Sequence, residues 1–173
     1  AAAREGAGSD VRRRGLAGRG DLGAFRVYAS DQAHSSVEKS AIVLGLGEEN
    51  VVLVPSDEGF RMDVRALARA IDRDRAAGMR AMAVVATVGT TSTASIDPVR
   101  EIAAVCRAND VWLHVDAAYG GALALLPERR GVMDGAELAD SVVVNGHKWL
   151  FVPLDFSALY GRRPELLRAV FAL

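Results

Sequence analysis

Short β-rich runs alternate with helical stretches along most of the chain, and this alternation constrains the fold more than any other feature. Strands are predicted at 25–29, 51–54, 82–88, 111–116, 141–145 and 156–160, with helices at 35–45, at 63–77, from 97 and from 164. Several strands are apolar on both faces, which is typical of a parallel sheet covered by helices. The order therefore predicts an α/β fold with an open, mostly parallel sheet, flanking helices and right-handed crossovers.

The first 24 residues differ in composition from the rest of the chain. They are rich in Ala, Gly and Arg, with five arginines against two acids between Arg4 and Arg19. Blocks of charge are usually solvated, so we interpret residues 1–24 as a helix end and linker rather than a phosphate-binding patch. The glycines at 15–20 do not match a nucleotide-binding spacing. Residues 25–173 are therefore predicted to form the folded domain.

Charge and cysteine content exclude several classes of protein. Twenty-one basic and 22 acidic side chains give a formal net charge of −1, which removes the electrostatic case for a nucleic-acid binder. Cys106 is the single cysteine, so no internal disulfide can form. No apolar run approaches the roughly 18 residues that span a bilayer, and no segment resembles a signal peptide. We expect a soluble cytoplasmic protein without a membrane partner.

The polar residues that could carry chemistry follow the predicted strands. Asp116 closes one strand, Thr91 follows another, and Asn145, His147 and Lys148 follow a third. Ligands of open α/β sheets bind beyond the carboxyl ends of the strands. The sequence therefore predicts a ligand site at this edge of the sheet.

Asp116 and Lys148 suggest a particular chemistry when they are taken together. Lys148 lies between apolar stretches, where desolvation favours the neutral amine that forms an imine. Pyridoxal 5′-phosphate needs such a lysine and an acidic partner for its pyridine nitrogen. Taken alone, each residue also has an ordinary explanation, as a helix-capping aspartate and a surface lysine.

Four segments resemble, in order, the signatures of the group II pyridoxal-phosphate amino-acid decarboxylases, with the strongest likeness to the aromatic-L-amino-acid decarboxylases. They are SDQAHSSVEK at 30–39, ATVGTTS at 86–92, HVDAAY at 114–119 and HKWL at 147–150. The likeness runs from about residue 25 to residue 173. It implies the large cofactor domain of fold-type I pyridoxal-phosphate enzymes, here incomplete.

The resemblance assigns roles to individual residues. It implies that Lys148 holds the cofactor through a Schiff base and that Asp116 pairs with the pyridine nitrogen. His34 matches a histidine that stacks on the cofactor ring, and Ala118 matches a small residue on the opposite face. These matches make Lys148, His34 and Asp116 the expected catalytic residues.

Three further positions match cofactor-binding residues of the family. Thr91 and Asn145 match positions that contact the cofactor, Asn145 near its phosphate, and His147 precedes the lysine as the family pattern requires. His114 shares a strand face with Asp116, so it is interpreted as a satisfied core histidine or a support for that carboxylate. The three histidines and Cys106 lack metal-ligand spacing, and we expect no metal site.

Four other residues shape expectations about the pocket. Gly120 and Gly121 are expected to leave space near the cofactor, which favours a bulky aromatic substrate. Gly146 replaces a proline that is common before the His-Lys pair, which suggests a looser approach to the lysine. Phe156 stands where the family often has cysteine, and we interpret it as repacking.

The implied activity is decarboxylation of an L-amino acid, with an aromatic substrate favoured, to an amine and carbon dioxide. Glutamate- or histidine-type decarboxylases and aldehyde-forming synthases share the motifs and stay open as alternatives. Family members are longer homodimers, so the chain is expected to be a central piece that lacks a phosphate-holding segment and a mobile loop. A non-catalytic remnant of the cofactor domain is the third alternative.

Overall fold

A six-stranded sheet organises the protein, for which a computed structural model describes residues 1–171. The strands are β1 (Phe25–Ser30), β2 (Val51–Val54), β3 (Arg80–Thr87), β4 (Trp112–Asp116), β5 (Ser141–Asn145) and β6 (Ser157–Gly161). Their spatial order is β2-β1-β3-β4-β5-β6. Neighbours among β1 to β5 pair in parallel, whereas β6 pairs antiparallel with β5. The predicted α/β class with a mostly parallel sheet is confirmed.

Within residues 1–171, six α-helices connect and flank these strands. They are α1 (Ala2–Gly6), α2 (Val11–Arg14), α3 (Ser36–Val43), α4 (Val64–Ala76), α5 (Val99–Ala108) and α6 (Pro164–Phe171). The helix predicted from Asp63 begins there because the Asp63 carboxylate accepts hydrogen bonds from the N–H groups of Arg65 and Ala66. The helix predicted to open at Asp97-Pro98 begins at Val99, because Pro98 occupies the N-cap position of α5. The last two residues of the predicted final helix lie outside the described range.

The helices cover both faces of the sheet. Leu113 and Val115 of β4 belong to the core beneath α4 and α5, which we call the α4–α5 face. Trp112 packs with Val11 of α2 and Val37 of α3 on the opposite side, which we call the α3 face. Because successive strand residues point to opposite faces, His114 and Asp116 are directed to the α3 face with Trp112.

Apolar side chains of the first 24 residues pack on the sheet, so the segment is not a bare linker, although Arg12, Arg13 and Arg14 are exposed as expected. Val11 and Leu22 are buried in the core of the α3 face. The Arg80 guanidinium donates a hydrogen bond of 2.7 Å to the carbonyl of Ala7. Sequence reasoning weighed the arginines of this segment above its few apolar side chains, yet those apolar side chains decide its position. Among the helices of residues 1–171, none has the length and apolar character required to cross a bilayer.

Asp97 fixes the carboxyl end of β3 from within the core. Its side chain is 2% exposed, and its two carboxylate oxygens accept hydrogen bonds from the N–H groups of Met62 (2.7 Å) and Thr87 (2.8 Å). No cation pairs with it among residues 1–171. Burial raises the pKa of the Asp97 carboxyl above its ordinary value, and the two N–H groups oppose that shift.

Replacing Asp97 tests this junction. Asp97→Ala leaves two buried N–H groups without acceptors, so we expect the free energy of unfolding to fall by about 2 kcal/mol or more. A raised pKa means that the folded state binds the proton more tightly, so the contribution of Asp97 to stability falls as pH rises through that pKa. Urea unfolding from about pH 4 to pH 7 should show this fall in wild type and not in Asp97→Asn. Parallel pH profiles for the two proteins would contradict the assignment.

Candidate active site

The five parallel strands β1 to β5 end at one edge of the sheet, and each predicted site residue lies at or just beyond that edge. Ser30, Thr87, Asp116 and Asn145 are the last residues of β1, β3, β4 and β5. Parallel strands place their carboxyl ends together, so this edge is where a ligand of an open α/β sheet binds.

Asp116 presents a half-buried carboxylate that lacks a cationic partner. Its Oδ1 accepts a hydrogen bond of 3.0 Å from the N–H of Ala118, and no other hydrogen bond or ion pair reaches the carboxylate from the described residues. Asp116 lines a cavity of about 420 Å³ on the α3 face, together with Val85, Trp112 and His114. A partly desolvated carboxylate is costly unless a cation or further donors compensate it. Oδ2 is therefore available to a ligand.

Lys148 lies in the turn after β5. Its N–H donates to the carbonyl of Asn145 at 3.3 Å, while its ammonium has no hydrogen bond or ion pair within residues 1–171. The side chain is exposed, so the burial expected from its apolar neighbours is wrong for the described chain. Its neighbours project from a turn instead of packing around it.

Two contacts join the Lys148 turn to the loop that follows Asp116. The rings of Tyr119 and Trp149 meet edge to face, with centroids 4.8 Å apart and planes at 78°. The N–H of Asn145 donates to the carbonyl of Ala118 at 3.3 Å. The segments that carry the expected lysine and carboxylate are thus neighbours.

His34 lies in the turn after β1 and is exposed. Its Nδ1 accepts a hydrogen bond of 3.2 Å from the N–H of Ser36, so the neutral ring carries its proton on Nε2. This contact fixes the orientation of the ring at the site edge. β3 lies between β1 and β4, and within residues 1–171 no hydrogen bond links the side chains of His34 and Asp116.

The turn after β3 places two adjacent threonines in different environments. Thr91, the expected cofactor contact, is exposed at the edge of the sheet. Thr90 is 2% exposed, and its hydroxyl lies 2.7 Å from Thr93 Oγ1 and 3.0 Å from Ser95 Oγ. Thr90 therefore holds the turn, and Thr91 is the threonine that a ligand can reach.

Asn145 and His147 tie the lysine turn to β6. The Asn145 Oδ1 accepts a hydrogen bond of 2.5 Å from the Ser157 hydroxyl. The His147 Nδ1 lies 2.9 Å from the carbonyl oxygen of Phe156 and 3.1 Å from its amide nitrogen. Both side chains anchor the segment on which Lys148 stands.

The glycines after Asp116 do not leave space for a ligand, so that expectation is wrong. A β-carbon on Gly120 would lie 2.6 Å from the carbonyl oxygen of Val88, and one on Gly121 would lie 2.9 Å from Val144 Cγ2. Both glycines are buried. Gly120 permits close packing against the segment after β3, and Gly121 permits close packing against β5. A run of small residues does not reveal these tertiary requirements.

Gly146 does not loosen the approach to the lysine either. A β-carbon at this position would lie 2.6 Å from Phe156 Cδ1, so the phenyl ring occupies the space. The N–H of Gly146 also donates to the carbonyl of Phe156 at 3.0 Å. The two departures from the family pattern, Gly146 and Phe156, are therefore linked, because the phenyl ring of Phe156 occupies the space that a side chain at position 146 would need.

His114 is satisfied on the α3 face. Its Nδ1 lies 2.8 Å from Ser141 Oγ, to which the indole N–H of Trp112 also donates at 2.9 Å. Burial lowers the pKa of His114 below its ordinary value, although Asp116 acts in the opposite direction. This agrees with the interpretation of a satisfied core histidine. Among the described residues, no group of His, Cys, Asp and Glu could hold a metal ion.

Sequence reasoning overlooked two polar residues near this edge, Asp97 and Thr87. Asp97 was noted only as the opening of a helix, although it holds the end of β3. Thr87 lies in the strand that leads to the site, and its buried hydroxyl has no partner among residues 1–171. A hydroxyl at the end of an otherwise apolar strand was the available signal.

The model of the pyridoxal-dependent decarboxylase conserved domain matches residues 2–173. The chain belongs to the pyridoxal-dependent decarboxylase family. The resemblance found in the motifs is confirmed, and so is the expected cofactor class, since this domain is pyridoxal-dependent. The match also includes nearly all of the first 24 residues.

Relatives of this family include enzymes of known activity and structure. The chain is 47% identical over 146 residues to the aromatic-L-amino-acid decarboxylase of Sus scrofa. The matched region covers 84% of this chain and 29% of that enzyme. The structure of Oryza sativa TDC with PLP and tryptamine superposes with a TM-score of 0.90 and 37% identity over 99% of this chain and 35% of that one. The structure of Rhodiola rosea 4-hydroxyphenylacetaldehyde synthase superposes with a TM-score of 0.89 and 35% identity, over 99% of this chain and 36% of that one. The chain thus spans about a third of the length of these relatives.

The described residues fit pyridoxal 5′-phosphate. Asp116 has a carboxylate oxygen without a partner, as a protonated pyridine nitrogen requires. Lys148 has an unengaged amine in the neighbouring turn, as an aldehyde requires. Both lie at the carboxyl edge of the sheet, so Asp116 would bind the pyridine nitrogen of the cofactor and Lys148 its aldehyde.

The close approach of the two loops can be tested with alanine. Gly120→Ala places a methyl group against the backbone of Val88, so we expect the free energy of unfolding to fall by about 2 kcal/mol or more. Gly131→Ala is the matched control, because a β-carbon there meets nothing within 4 Å. Urea denaturation of the intact protein measures both. Equal stabilities for the two variants would contradict the packing.

Proposed function

We propose that the intact protein decarboxylates an aromatic L-amino acid to the amine and carbon dioxide with pyridoxal 5′-phosphate, and that residues 25–173 are part of its cofactor-binding large domain. One observation carries the proposal. Within residues 1–171 neither the Asp116 carboxylate nor the Lys148 amine has a charged partner, and they lie at the end of β4 and in the turn after β5, two segments joined by the Tyr119–Trp149 contact.

Lys148 and Asp116 have complementary tasks in this proposal. Lys148 would hold the cofactor covalently through its side-chain amine. Asp116 accepts a hydrogen bond from the protonated ring nitrogen and keeps the proton there. When bound, the cofactor provides an electron sink for the pair of electrons left as carbon dioxide departs. The Ala118 N–H holds the Asp116 carboxylate, and the Ala118 side chain would contact one face of the bound cofactor ring.

The remaining residues position the site. His34 would stack on the other face of the cofactor ring, and the Ser36 N–H sets the orientation of its imidazole. Thr91 contacts the cofactor from the turn after β3, and Asn145 does so near the phosphate. His147 fixes the lysine turn through the backbone of Phe156.

The aromatic substrate class rests on relatives, among them the Sus scrofa decarboxylase and the Oryza sativa structure with tryptamine. An aldehyde-forming reaction is a second candidate, because the Rhodiola rosea aldehyde synthase is nearly as similar. Both reactions use the same lysine and carboxylate, so the product distinguishes them.

Covalent cofactor binding at Lys148 is the first test. The given sequence contains two lysines, Lys39 and Lys148, and borohydride reduction of the intact protein followed by peptide mass spectrometry shows whether Lys148 carries the cofactor. We expect the reduced pyridoxyl group on Lys148 in the wild type, its loss in Lys148→Ala, and its retention in Lys39→Ala. Lys39 is exposed on α3 and provides the matched control. An adduct that persists in Lys148→Ala would refute the assignment.

The same proteins identify the reaction. Wild type is incubated with L-tryptophan, L-tyrosine, L-phenylalanine, L-glutamate and L-histidine, and amine, aldehyde and carbon dioxide are measured. We expect amine and carbon dioxide from an aromatic substrate, and none from Lys148→Ala. Aldehyde would support the second candidate, whereas an adduct without turnover would support a non-catalytic remnant.

We also propose that the intact protein is a cytoplasmic homodimer. Exposed apolar side chains are concentrated in the segment between β5 and β6, where Phe151 is 91% exposed and Leu154 is 86% exposed. Patches of this kind mark surfaces that other chain segments or subunits cover. Light scattering of the intact protein should give twice the mass of its chain. A monomeric mass would contradict the proposal.

A further inference from the structure

Thr87 carries a buried hydroxyl that has no hydrogen-bond partner within residues 1–171. The residue is 4% exposed, and its Oγ1 has no hydrogen-bond partner within the described part of the chain. Two other buried polar atoms lack partners there, Nε of Arg4 and Nε of Arg163, but each belongs to a guanidinium that bonds through another nitrogen. Thr87 is thus the side chain in residues 1–171 whose buried polar group is wholly unpartnered.

The position of Thr87 points to Asp116. Thr87 is the last residue of β3 and is the parallel-register partner of Asp116, the last residue of β4. Paired residues of adjacent strands direct their side chains to the same face, about 5 Å apart. Alternation along β3 puts Thr87 on the α3 face with Val85, which lines the same cavity as Asp116.

The backbone of Thr87 is already committed. Its N–H donates to Asp97 Oδ2 at 2.8 Å, and its carbonyl accepts from the N–H of Asp97 at 2.9 Å. The strand end is therefore fixed, and the hydroxyl is the free donor beside a carboxylate that has one oxygen held by Ala118 and one unheld.

We propose that Thr87 is a positioning residue for Asp116, and that its hydroxyl donates a hydrogen bond to the Asp116 carboxylate when the cofactor is bound. The hydroxyl and the Ala118 N–H together set the plane of the carboxylate, so that one oxygen faces the ring nitrogen. This inference rests on the proposed function, because the ring nitrogen is the group toward which Asp116 is turned.

The proposal makes opposite predictions for the two states of the protein. An unpartnered buried hydroxyl destabilises the cofactor-free state, whereas a hydrogen bond to a charged group stabilises the bound state. Thr87→Val preserves the shape and removes the hydroxyl. In the intact protein we expect an unchanged or higher Tm without cofactor and a Kd for pyridoxal 5′-phosphate about 10-fold weaker. Thr87→Ser retains the hydroxyl and should restore the affinity.

Thr90→Val is the matched control. Thr90 is equally buried, but its hydroxyl is bonded to Thr93 and Ser95, so its removal should lower the Tm of the cofactor-free protein. A fall in Tm for Thr87→Val as large as that for Thr90→Val would overturn the proposal, as would wild-type cofactor affinity in Thr87→Val.

A double-mutant cycle tests whether the hydroxyl acts through the carboxylate. In an Asp116→Asn background, Thr87→Val should cause much less than its 10-fold loss of affinity, because the charged acceptor is gone. An undiminished loss would show that the hydroxyl acts on another group and would overturn the positioning role. Failure of the wild type to bind the cofactor would instead refute the proposed function itself.

Discussion

The structure depends on a half-buried carboxylate at the end of a parallel strand. Asp116 has one backbone donor and no cation within residues 1–171, so its charge is only partly compensated. Such a group is costly, and the fold tolerates it at an edge where a ligand can supply the missing partner. The parallel pairing of β3, β4 and β5 then determines which other side chains can reach the same ligand.

The surroundings of that carboxylate are held firmly by groups that take no part in the chemistry. Asp97 fixes the end of β3 through two hydrogen bonds to Thr87: its carboxylate accepts from the Thr87 N–H, and its own N–H donates to the Thr87 carbonyl. Gly120 allows the loop after β4 to touch the backbone of Val88. The Tyr119–Trp149 contact then joins that loop to the lysine turn. Positioning at this site is therefore a property of packed loops on a rigid sheet, as precise ligand binding requires.

Sequence reasoning succeeded where the signal was local. The runs at 51–54 and 141–145 appear as β2 and β5 with the predicted bounds, because valine makes up most of both. Asp63 capped its helix as expected, since an N-cap needs only residues that are close in the chain. It failed for Gly120, Gly121 and Gly146, whose neighbours come from other loops and strands.

The amino-acid sequence by itself determined the α/β class, the order of the strands along the chain and the identity of the expected lysine and carboxylate, because periodicity and motifs are properties of neighbouring residues. Only the tertiary structure decided that β6 runs antiparallel, that the first 24 residues pack on the sheet, and that Thr87 stands beside Asp116. These features depend on register and on contacts between distant segments. Their energies are set by which buried groups find partners, and a linear pattern does not contain that information.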